Sequence, residues 1–262
     1  MARRTWLAGL LWLPAATGAS VPAAAEILET ETARPIGSGI FEASGNFEYQ
    51  TSSEGSESAV PLAVEYGLTN RMEILFEPVV YTAIRPTGGM DATGVGDVEI
   101  TLTYLARAET LKFPAIAVAS EVKVPSAKDS LIGTGQVDFA AYLIGSKRWD
   151  QLDAHANLSY TVVGRPPGAE LRNIFGFALA AEWFWGGPNE LFGEVLGNTA
   201  ASAHAESGTD TGGATPEAPS GEVSLTAGIA RYVVPTLRLS LGLSIDNNGA
   251  ALLGPGLTMR FR

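Results

Sequence analysis

The chain has 262 residues, no cysteine and a formal net charge of −11 at pH 7. Without cysteine there can be no disulfide, no thiolate nucleophile and no thiolate metal ligand. The acidic balance argues against a nucleic-acid partner, and the length suits a single large all-β domain.

Residues 1–25 have the organisation of a cleaved signal peptide. Arg3 and Arg4 supply its positive charge, an apolar run follows at 6–13, and small residues at 23–25 precede the expected cleavage before Glu26. A membrane anchor is the alternative, but the apolar run is shorter than the about 20 residues that a spanning helix needs. We therefore expect an exported mature chain, residues 26–262, with no transmembrane helix after the signal.

The mature chain is predicted to consist of short strands that are apolar on one face and polar on the other. At 94–104, for example, the even-numbered residues from Val98 to Tyr104 are apolar, whereas the odd-numbered residues from Asp97 to Thr103 are polar. One such strand would also fit a soluble sheet, so the number of copies decides. The pattern occurs in twelve segments, at 41–49, 60–66, 72–80, 94–104, 116–124, 137–143, 154–162, 175–183, 191–195, 223–229, 237–243 and 257–261. Twelve is an even number, as a closed transmembrane antiparallel up-and-down β-barrel with both termini on one side requires.

The connections between these segments alternate in length, which also favours a transmembrane barrel. With the first strand leaving the periplasm, external loops are predicted at 51–57, 85–93, 126–134, 164–170, 198–221 and 246–250, and shorter periplasmic turns at 67–70, 186–189 and 233–235. The turn at 107–112 is a longer periplasmic exception. The loop 198–221 is poor in large apolar residues and is expected to be flexible. The tryptophans of the mature chain, Trp149, Trp183 and Trp185, fall beside periplasmic turns, where an aromatic girdle would lie.

With these segments identified, the chain resembles the outer-membrane β-barrel transporter-like family that is named for the meta-pathway of phenol degradation. The resemblance rests on GVGD at 94–97, EVKVP at 121–125, GTG at 133–135 with Asp138, and HANLSY at 155–160, so it covers mainly residues 94–160. It implies a barrel in the lipid of the bacterial outer membrane that carries small solutes, with aromatic or hydrophobic compounds among them. It also implies the barrel assembly machinery as a partner of the C-terminal strand. Barrels of this kind usually end on an aromatic residue, whereas here Arg262 follows Phe261.

No enzymatic, metal or cofactor chemistry is expected from the sequence. His155, Asn157 and Ser159 share residue types with an outer-membrane phospholipase, but residues two and four apart on one strand stand roughly 7 and 13 Å apart at the backbone. His155 and Ser159 are thus too distant to react together unless another strand intervenes, and a polar lining of the interior is the preferred interpretation. His204 lies in the flexible loop with acidic neighbours and is expected to be solvated rather than to bind a metal.

The polar faces of the strands are predicted to line the barrel interior, where acids outnumber bases. The candidate lumen-lining residues are Glu42, Glu48, Glu73, Glu77, Asp97, Glu99, Glu121, Lys123, Asp138, His155 and Arg238. Cross-strand pairs, such as Arg71 with Glu65, would strengthen the wall. The surplus of acid would instead give a passing solute a preferred charge. Both interpretations can hold at once.

Three functions fit the sequence. The first is an outer-membrane channel or transporter for small solutes, the second a non-conducting structural or adhesive barrel, and the third a secreted soluble β-sandwich. The sandwich ranks last, because a water-exposed polar face is usually rich in lysine, whereas lysine occurs here only at 112, 123, 128 and 147. A twelve-stranded interior lies between the filled eight-stranded and the open sixteen-stranded barrels, so strand number alone does not separate the first two functions.

Overall fold

The computed structural model describes residues 28–168, 171–199 and 221–262. The predicted signal peptide and most of the predicted loop 198–221, including His204, lie outside these residues. No helix in the described part of the chain is long and apolar enough to cross a membrane.

The described chain is built from fourteen antiparallel β-strands. They are β1 (Phe41–Asn46), β2 (Glu48–Ser52), β3 (Gly55–Thr69), β4 (Met72–Pro86), β5 (Ala92–Gly94), β6 (Val98–Arg107), β7 (Ala115–Val124), β8 (Asp138–Trp149), β9 (Leu152–Val162), β10 (Ile174–Trp185), β11 (Asn189–Asn198), β12 (Glu222–Val234), β13 (Leu237–Asp246) and β14 (Ala251–Phe261). Strands β1 and β2 both pair with β3 and β14, so they form one strand of the wall. Strands β5 and β6 both pair with β4 and form another. The wall therefore has twelve strands, and the predicted twelve-stranded all-β fold is confirmed.

The wall is closed where the first and last strands meet. The register runs from Phe41 opposite Phe261 to Asn46 opposite Gly256, and β2 continues the seam further along β14. An ion pair crosses the seam, with Arg260 Nε 2.6 Å from Glu42 Oε2. The pairing of β1 with β14 closes the described wall on itself, and a closed wall is the condition for strands to cross a bilayer.

The two faces of the wall have the predicted orientation. On β8, Ala140, Tyr142 and Ile144 are buried inside the barrel. Phe139 and Leu143, at alternate positions of the same strand, are 58% and 49% exposed. Large apolar side chains are exposed in this way around the whole outer wall. A contiguous apolar surface of this extent is unsuited to water and suited to lipid.

The aromatic side chains at the end of the barrel with the short turns also face outward. Trp149 and Trp183 are 55% and 46% exposed, and the rings of Trp183 and Trp185 lie 6.0 Å apart. Tyr66 and Tyr104 are exposed near the same end of their strands. The rings lie where an aromatic girdle meets the interface between lipid and water.

The hairpin of β3 and β4 extends further than the sequence pattern indicates. Each strand has 15 residues, so the pairing begins at Gly55 opposite Pro86 and shortens the predicted loops 51–57 and 85–93. The register shifts between Val60 and Pro61, because a proline has no N–H for the sheet ladder and is accommodated at irregular positions. The alternation that defines strands in a sequence is broken at such a shift, which explains the underestimate.

The interior of the barrel is occupied by the chain that precedes β1. We call residues 28–36 the luminal segment; within it Leu28, Thr30 and Ala33 are buried. The chain leaves the interior beside Gly67, whose N–H donates to the Ile40 carbonyl and whose carbonyl accepts from Gly39 N–H. A Cβ at Gly67 would lie 1.8 Å from the Gly37 carbonyl oxygen, so only glycine permits this passage.

Candidate functional site

The luminal segment is held by carboxylates of the inner wall that accept backbone hydrogen bonds. Glu194 on β11 accepts from the N–H of Glu29 at 2.9 Å and of Thr30 at 2.6 Å. Glu73 on β4 accepts from the N–H of Ile36 at 2.9 Å. Peptide N–H groups of this segment have no strand partner, so carboxylate oxygens of the wall supply their hydrogen-bond acceptors. Glu73, a predicted lining residue, thus anchors the segment.

A serine and a histidine support the middle of the segment. Ala33 N–H donates to Ser146 Oγ at 2.8 Å, and Ser146 Oγ lies 2.8 Å from His155 Nδ1. His155 Nε2 lies 3.7 Å from Asp153 Oδ1 and 3.9 Å from Glu182 Oε2. The serine beside His155 is therefore Ser146 of the neighbouring strand β8, and not Ser159 of the same strand β9.

These side chains have the types of a catalytic triad but not its accessibility. Ser146 is 1% exposed, and Thr32 and Ala33 of the luminal segment lie against its hydroxyl. A substrate carbonyl would need the space that these residues fill. The arrangement positions the segment, and the absence of enzymatic activity stays a prediction from the sequence.

Arg34 joins the luminal segment to the periplasmic end of the barrel. Its guanidinium donates to both carboxylate oxygens of Asp153, and Nε donates to Glu109 Oε2 at 3.1 Å. Arg148 also donates to Asp153, and Lys147 Nζ lies 2.9 Å from Glu109 Oε1. Two acids and three bases thus form one network across the turn between β6 and β7, the end of β8 and the start of β9.

Apolar contacts to the segment are few and involve small side chains. Leu28 packs against Ala180, Phe192 and Ala230. Ala33 lies in a cluster of buried residues on the inner faces of β6, β7 and β8, namely Leu105, Ala115, Ala117, Ala119, Ala140, Tyr142 and Ile144. The alanines leave room for a chain beside the wall, where larger side chains would fill the lumen themselves.

The external end of the interior contains a buried charged triad. Lys123 Nζ lies 2.5 Å from Asp138 Oδ2 and 3.7 Å from Asp97 Oδ2, and all three residues are at most 3% exposed. These are residues of the motifs at 94–97, 121–125 and 138. Three of the stretches that carry the family resemblance therefore meet in space, on β7, on β8 and just before β6, whereas the motif at 155–160 lies on β9 and contributes no residue to the triad.

The triad also ties two external loops to the mouth of the barrel. Asp97 Oδ1 accepts from the N–H of Ser126 at 2.9 Å and of Ala127 at 3.0 Å, and Asp138 Oδ1 accepts from Gly164 N–H at 2.7 Å. In the loop between β7 and β8, Ile132 is 1% exposed and packs against Ile84 and Ala92. This loop folds inward over the entrance.

Glutamates occupy the interior between the triad and the luminal segment. Glu77 on β4 is the register partner of Glu99 on β6, and Glu121 on β7 is the register partner of Thr101. Glu121 accepts from Tyr142 Oη at 2.9 Å. Glu77 is 5% exposed, and neither of its carboxylate oxygens has a hydrogen-bond partner in the described chain.

The remaining predicted lining residues lie apart from this middle region. Arg238 forms a bidentate pair with Glu190, and Glu42 pairs with Arg260 at the seam. Glu48 is partly buried on β2. The predicted cross-strand ion pair of Arg71 with Glu65 is wrong. Arg71 is exposed, and the ion pairs found among the described residues do not include it.

One group of side chains has spacing that a metal ion could use. Ligand atoms of Asp153, His155 and Glu182 lie within 4.8 Å of one another. Both oxygens of Asp153 already accept from Arg34, however, and Arg148 adds a second guanidinium. A cation placed beside two guanidinium groups would be repelled, so the group acts as part of the network that holds Arg34.

The sequence pattern does not indicate the luminal segment, its residue Arg34 or its partner Ser146. The contacts join residues far apart in the chain, for example Thr30 with Glu194 and Arg34 with Asp153, and strand alternation does not report such contacts. The available signal is the stretch 28–40 itself, which lacks the alternating pattern and yet precedes the first strand of a closed barrel.

Comparison with known proteins shows the fold. No protein-family model matches this sequence, and no curated protein matches it. Among solved structures, an outer-membrane channel from Pseudomonas putida F1 is similar with a TM-score of 0.65 and 13% identity, covering 87% of this chain and 97% of that chain. The NanC porin has a TM-score of 0.60 and 10% identity, covering 83% of this chain and 98% of its own. The KdgM porin, in complex with disordered oligogalacturonate, has a TM-score of 0.56 and 8% identity, with 84% and 99% covered.

Proposed function

We propose that this chain is a channel for small solutes and that the luminal segment limits its conductance. The chain folds as a bacterial outer-membrane β-barrel, since its architecture is that of solved outer-membrane channels and porins and its outer wall is apolar. The resemblance to the family of the phenol meta-pathway stays a prediction. Its implied aromatic or hydrophobic solutes are likewise a proposal.

One observation carries the channel proposal: a buried carboxylate of the inner wall lacks hydrogen-bond partners in the described chain. Glu77 is 5% exposed, and neither of its oxygens has a partner among the described residues. Leaving such groups unsatisfied costs about 1–3 kcal/mol each or more. An aqueous lumen supplies the missing partners, whereas a barrel filled for structural purposes would have paired or apolar groups there.

The mode of attachment of the luminal segment supports a displaceable plug. Its backbone N–H groups donate to polar side chains of the wall, its guanidinium donates to Asp153 and Glu109, and its buried apolar side chains are those of Leu28 and Ala33. Water can replace polar contacts of this kind more readily than it can replace a packed apolar core.

The test is a solute-flux measurement on the full mature chain refolded into liposomes. A channel predicts that liposomes swell in isotonic arabinose faster than protein-free liposomes do, and that phenol reaches an enclosed indicator enzyme sooner if aromatic solutes pass. A matched sample of unfolded protein added to the same lipid controls for leakage. Equal rates with and without folded protein, for both solutes, would favour the non-conducting structural barrel.

The similar KdgM porin is in complex with disordered oligogalacturonate. A galacturonate chain carries a carboxylate on each unit, whereas the middle of the present interior is lined by glutamates. Like charges repel most strongly in a narrow lumen of low dielectric constant. We therefore propose solutes that are not polyanionic for this chain.

A further inference from the structure

Five glutamates lie close enough to interact where the luminal segment meets the inner wall. Four belong to the wall strands β3, β4, β6 and β7, and one belongs to the luminal segment itself. We call them the glutamate cluster: Glu31, Glu65, Glu77, Glu99 and Glu121. Glu77 interacts electrostatically with each of the other four.

The register places two of these carboxylates directly opposite each other. Glu77 and Glu99 are cross-strand partners on β4 and β6, where Cβ atoms stand roughly 4.5–5.5 Å apart. Like charges at such a pair destabilise a sheet. A positively charged group between them would remove the repulsion.

Glu77 is the member that points to a ligand. It is 5% exposed and neither of its oxygens has a hydrogen-bond partner in the described chain. Its neighbour Glu121, in contrast, accepts hydrogen bonds from Tyr142 and Thr101. A buried carboxylate with four acidic neighbours and no donor is the arrangement of a site prepared for a cation.

One wall cation, Lys123, lies next to the cluster but is shared with two aspartates. Lys123 is the register partner of Glu99 and interacts with it electrostatically. Its Nζ lies 2.5 Å from Asp138 Oδ2 and 3.7 Å from Asp97 Oδ2 at the mouth. Acidic groups therefore outnumber basic groups around the cluster.

We propose that the glutamate cluster binds the ammonium or guanidinium group of an organic cation that enters the channel. The inference deepens the proposed function, on which it rests, by naming the chemical class of the solute. A guanidinium group presents five N–H donors in a plane and an ammonium group three, so either can bridge several separated carboxylates.

The spacing of the cluster favours an organic cation over a metal ion. Within the described chain, the three-residue group whose ligand atoms approach within 4.8 Å is Asp153, His155 and Glu182, and no three members of the glutamate cluster do so. Oxygen ligands of Ca²⁺ and Mg²⁺ lie about 2.0–2.6 Å from the ion in typical sites, so the ligand oxygens must also lie close to one another. The luminal segment shows the alternative chemistry within the same lumen, since Asp153 and Glu109 bind the Arg34 guanidinium.

The test measures binding of agmatine, which carries one guanidinium and one ammonium group, to the refolded full mature chain by calorimetry at low ionic strength. We expect agmatine to bind and Glu77→Gln to weaken binding about tenfold or more, because a hydrogen bond to a charged group contributes about 1.5–3 kcal/mol. Glu222→Gln, which changes a buried acid of β12 outside the cluster, should leave the affinity within about twofold. The gel shift between heated and unheated samples reports that each variant is folded.

Separate arms distinguish the possible ligands and the two proposals. Tighter binding of CaCl₂ than of agmatine, with the same dependence on Glu77, would overturn the organic cation. Absence of agmatine binding, or equal binding by Glu77→Gln, would overturn the site. Conductance in KCl is recorded on the same samples, so that a conducting protein without an agmatine site disproves only this inference, whereas a non-conducting protein that binds agmatine disproves only the channel.

Discussion

Glu109 illustrates how a single side chain fixes the luminal segment. It lies in the turn between β6 and β7 and accepts from Arg148 N–H at 2.9 Å, Lys147 Nζ at 2.9 Å and Arg34 Nε at 3.1 Å. Partial burial raises the pKa of this carboxyl, but the hydrogen bonds from Arg148, Lys147 and Arg34 outweigh burial and lower the pKa to about 2. The ionised form is therefore the one that the folded protein binds.

This lowered pKa predicts a pH dependence of stability. A carboxyl whose pKa is lower in the folded than in the unfolded chain stabilises the fold above its unfolded pKa, and the contribution is lost as pH falls through the folded pKa. The urea stability of the wild type should thus exceed that of Glu109→Gln at pH 7, and the difference should shrink from pH 4.5 towards pH 2. Glu54→Gln, in an exposed turn, is the control. A difference that is the same at pH 7 and pH 2 would contradict the role given to Glu109.

The outward orientation of the apolar face also makes a residue-level prediction. Leu241 lies in the middle of β13 and is 45% exposed on the outer wall, whereas Ser244 is partly buried on the inner face of the same strand. Leu241→Arg should cost about 2–4 kcal/mol in detergent or lipid, because it places a charge near the bilayer midplane. Ser244→Arg should cost clearly less. Reversed or equal costs, measured by reversible urea unfolding in lipid, would show that the faces are assigned wrongly.

At the scale of elements, the strands were predictable and the luminal segment was not. Alternation such as that from Asp97 to Tyr104 reports which face of a strand meets lipid, because successive side chains point to opposite faces. The segment has no strand period, and its partners are distant in the chain, as Ala33 and Ser146 are, 113 residues apart. The sequence likewise assigned Asp97 to the interior, but its bonds to Ser126 and Ala127 depend on the fold of a loop.

The triad at the mouth is expected to be sensitive to loss of its cation. Lys123→Met would leave Asp97 and Asp138 buried, close together and without a counter-charge. Removal of one partner from a buried ion pair costs about 3–5 kcal/mol, so we expect a loss of stability of this size in urea unfolding. The triple variant with Asp97→Asn and Asp138→Asn in addition should recover part of the loss. A stable single variant would show that the triad contributes little.

The contacts of Arg34 predict a gain of conductance when the luminal segment is loosened. Arg34→Ala removes the hydrogen bonds to Asp153 and Glu109. At about 1.5–3 kcal/mol for a bond to a charged group, the displaced state should become about tenfold or more populated. Single-channel recording should then show longer or larger openings than in the wild type. Arg165→Ala, in an exposed external loop, is the control, and unchanged conductance in Arg34→Ala would show that the segment does not gate the barrel.

The whole molecule combines three features along one axis. A triad ties loops over the external mouth, a glutamate cluster lines the middle, and a polar segment occupies the periplasmic part. The wall around them is closed and apolar outside, so the field of the inner charges is focused into the lumen. We therefore expect the surplus of acid in the middle to set the charge preference of a solute that passes.

The most direct test of this account is the reversal potential of the refolded protein under a KCl gradient across a planar bilayer, recorded for the wild type and for Arg34→Ala. The account predicts cation selectivity that weakens at 1 M salt, where the Debye length falls to roughly 3 Å. Replacing Glu77 and Glu99 together by glutamine should move the reversal potential towards that of a non-selective pore, whereas Asp91→Asn in an exposed loop should leave it nearly unchanged. Anion selectivity, or no conductance in either the wild type or Arg34→Ala, would contradict the account.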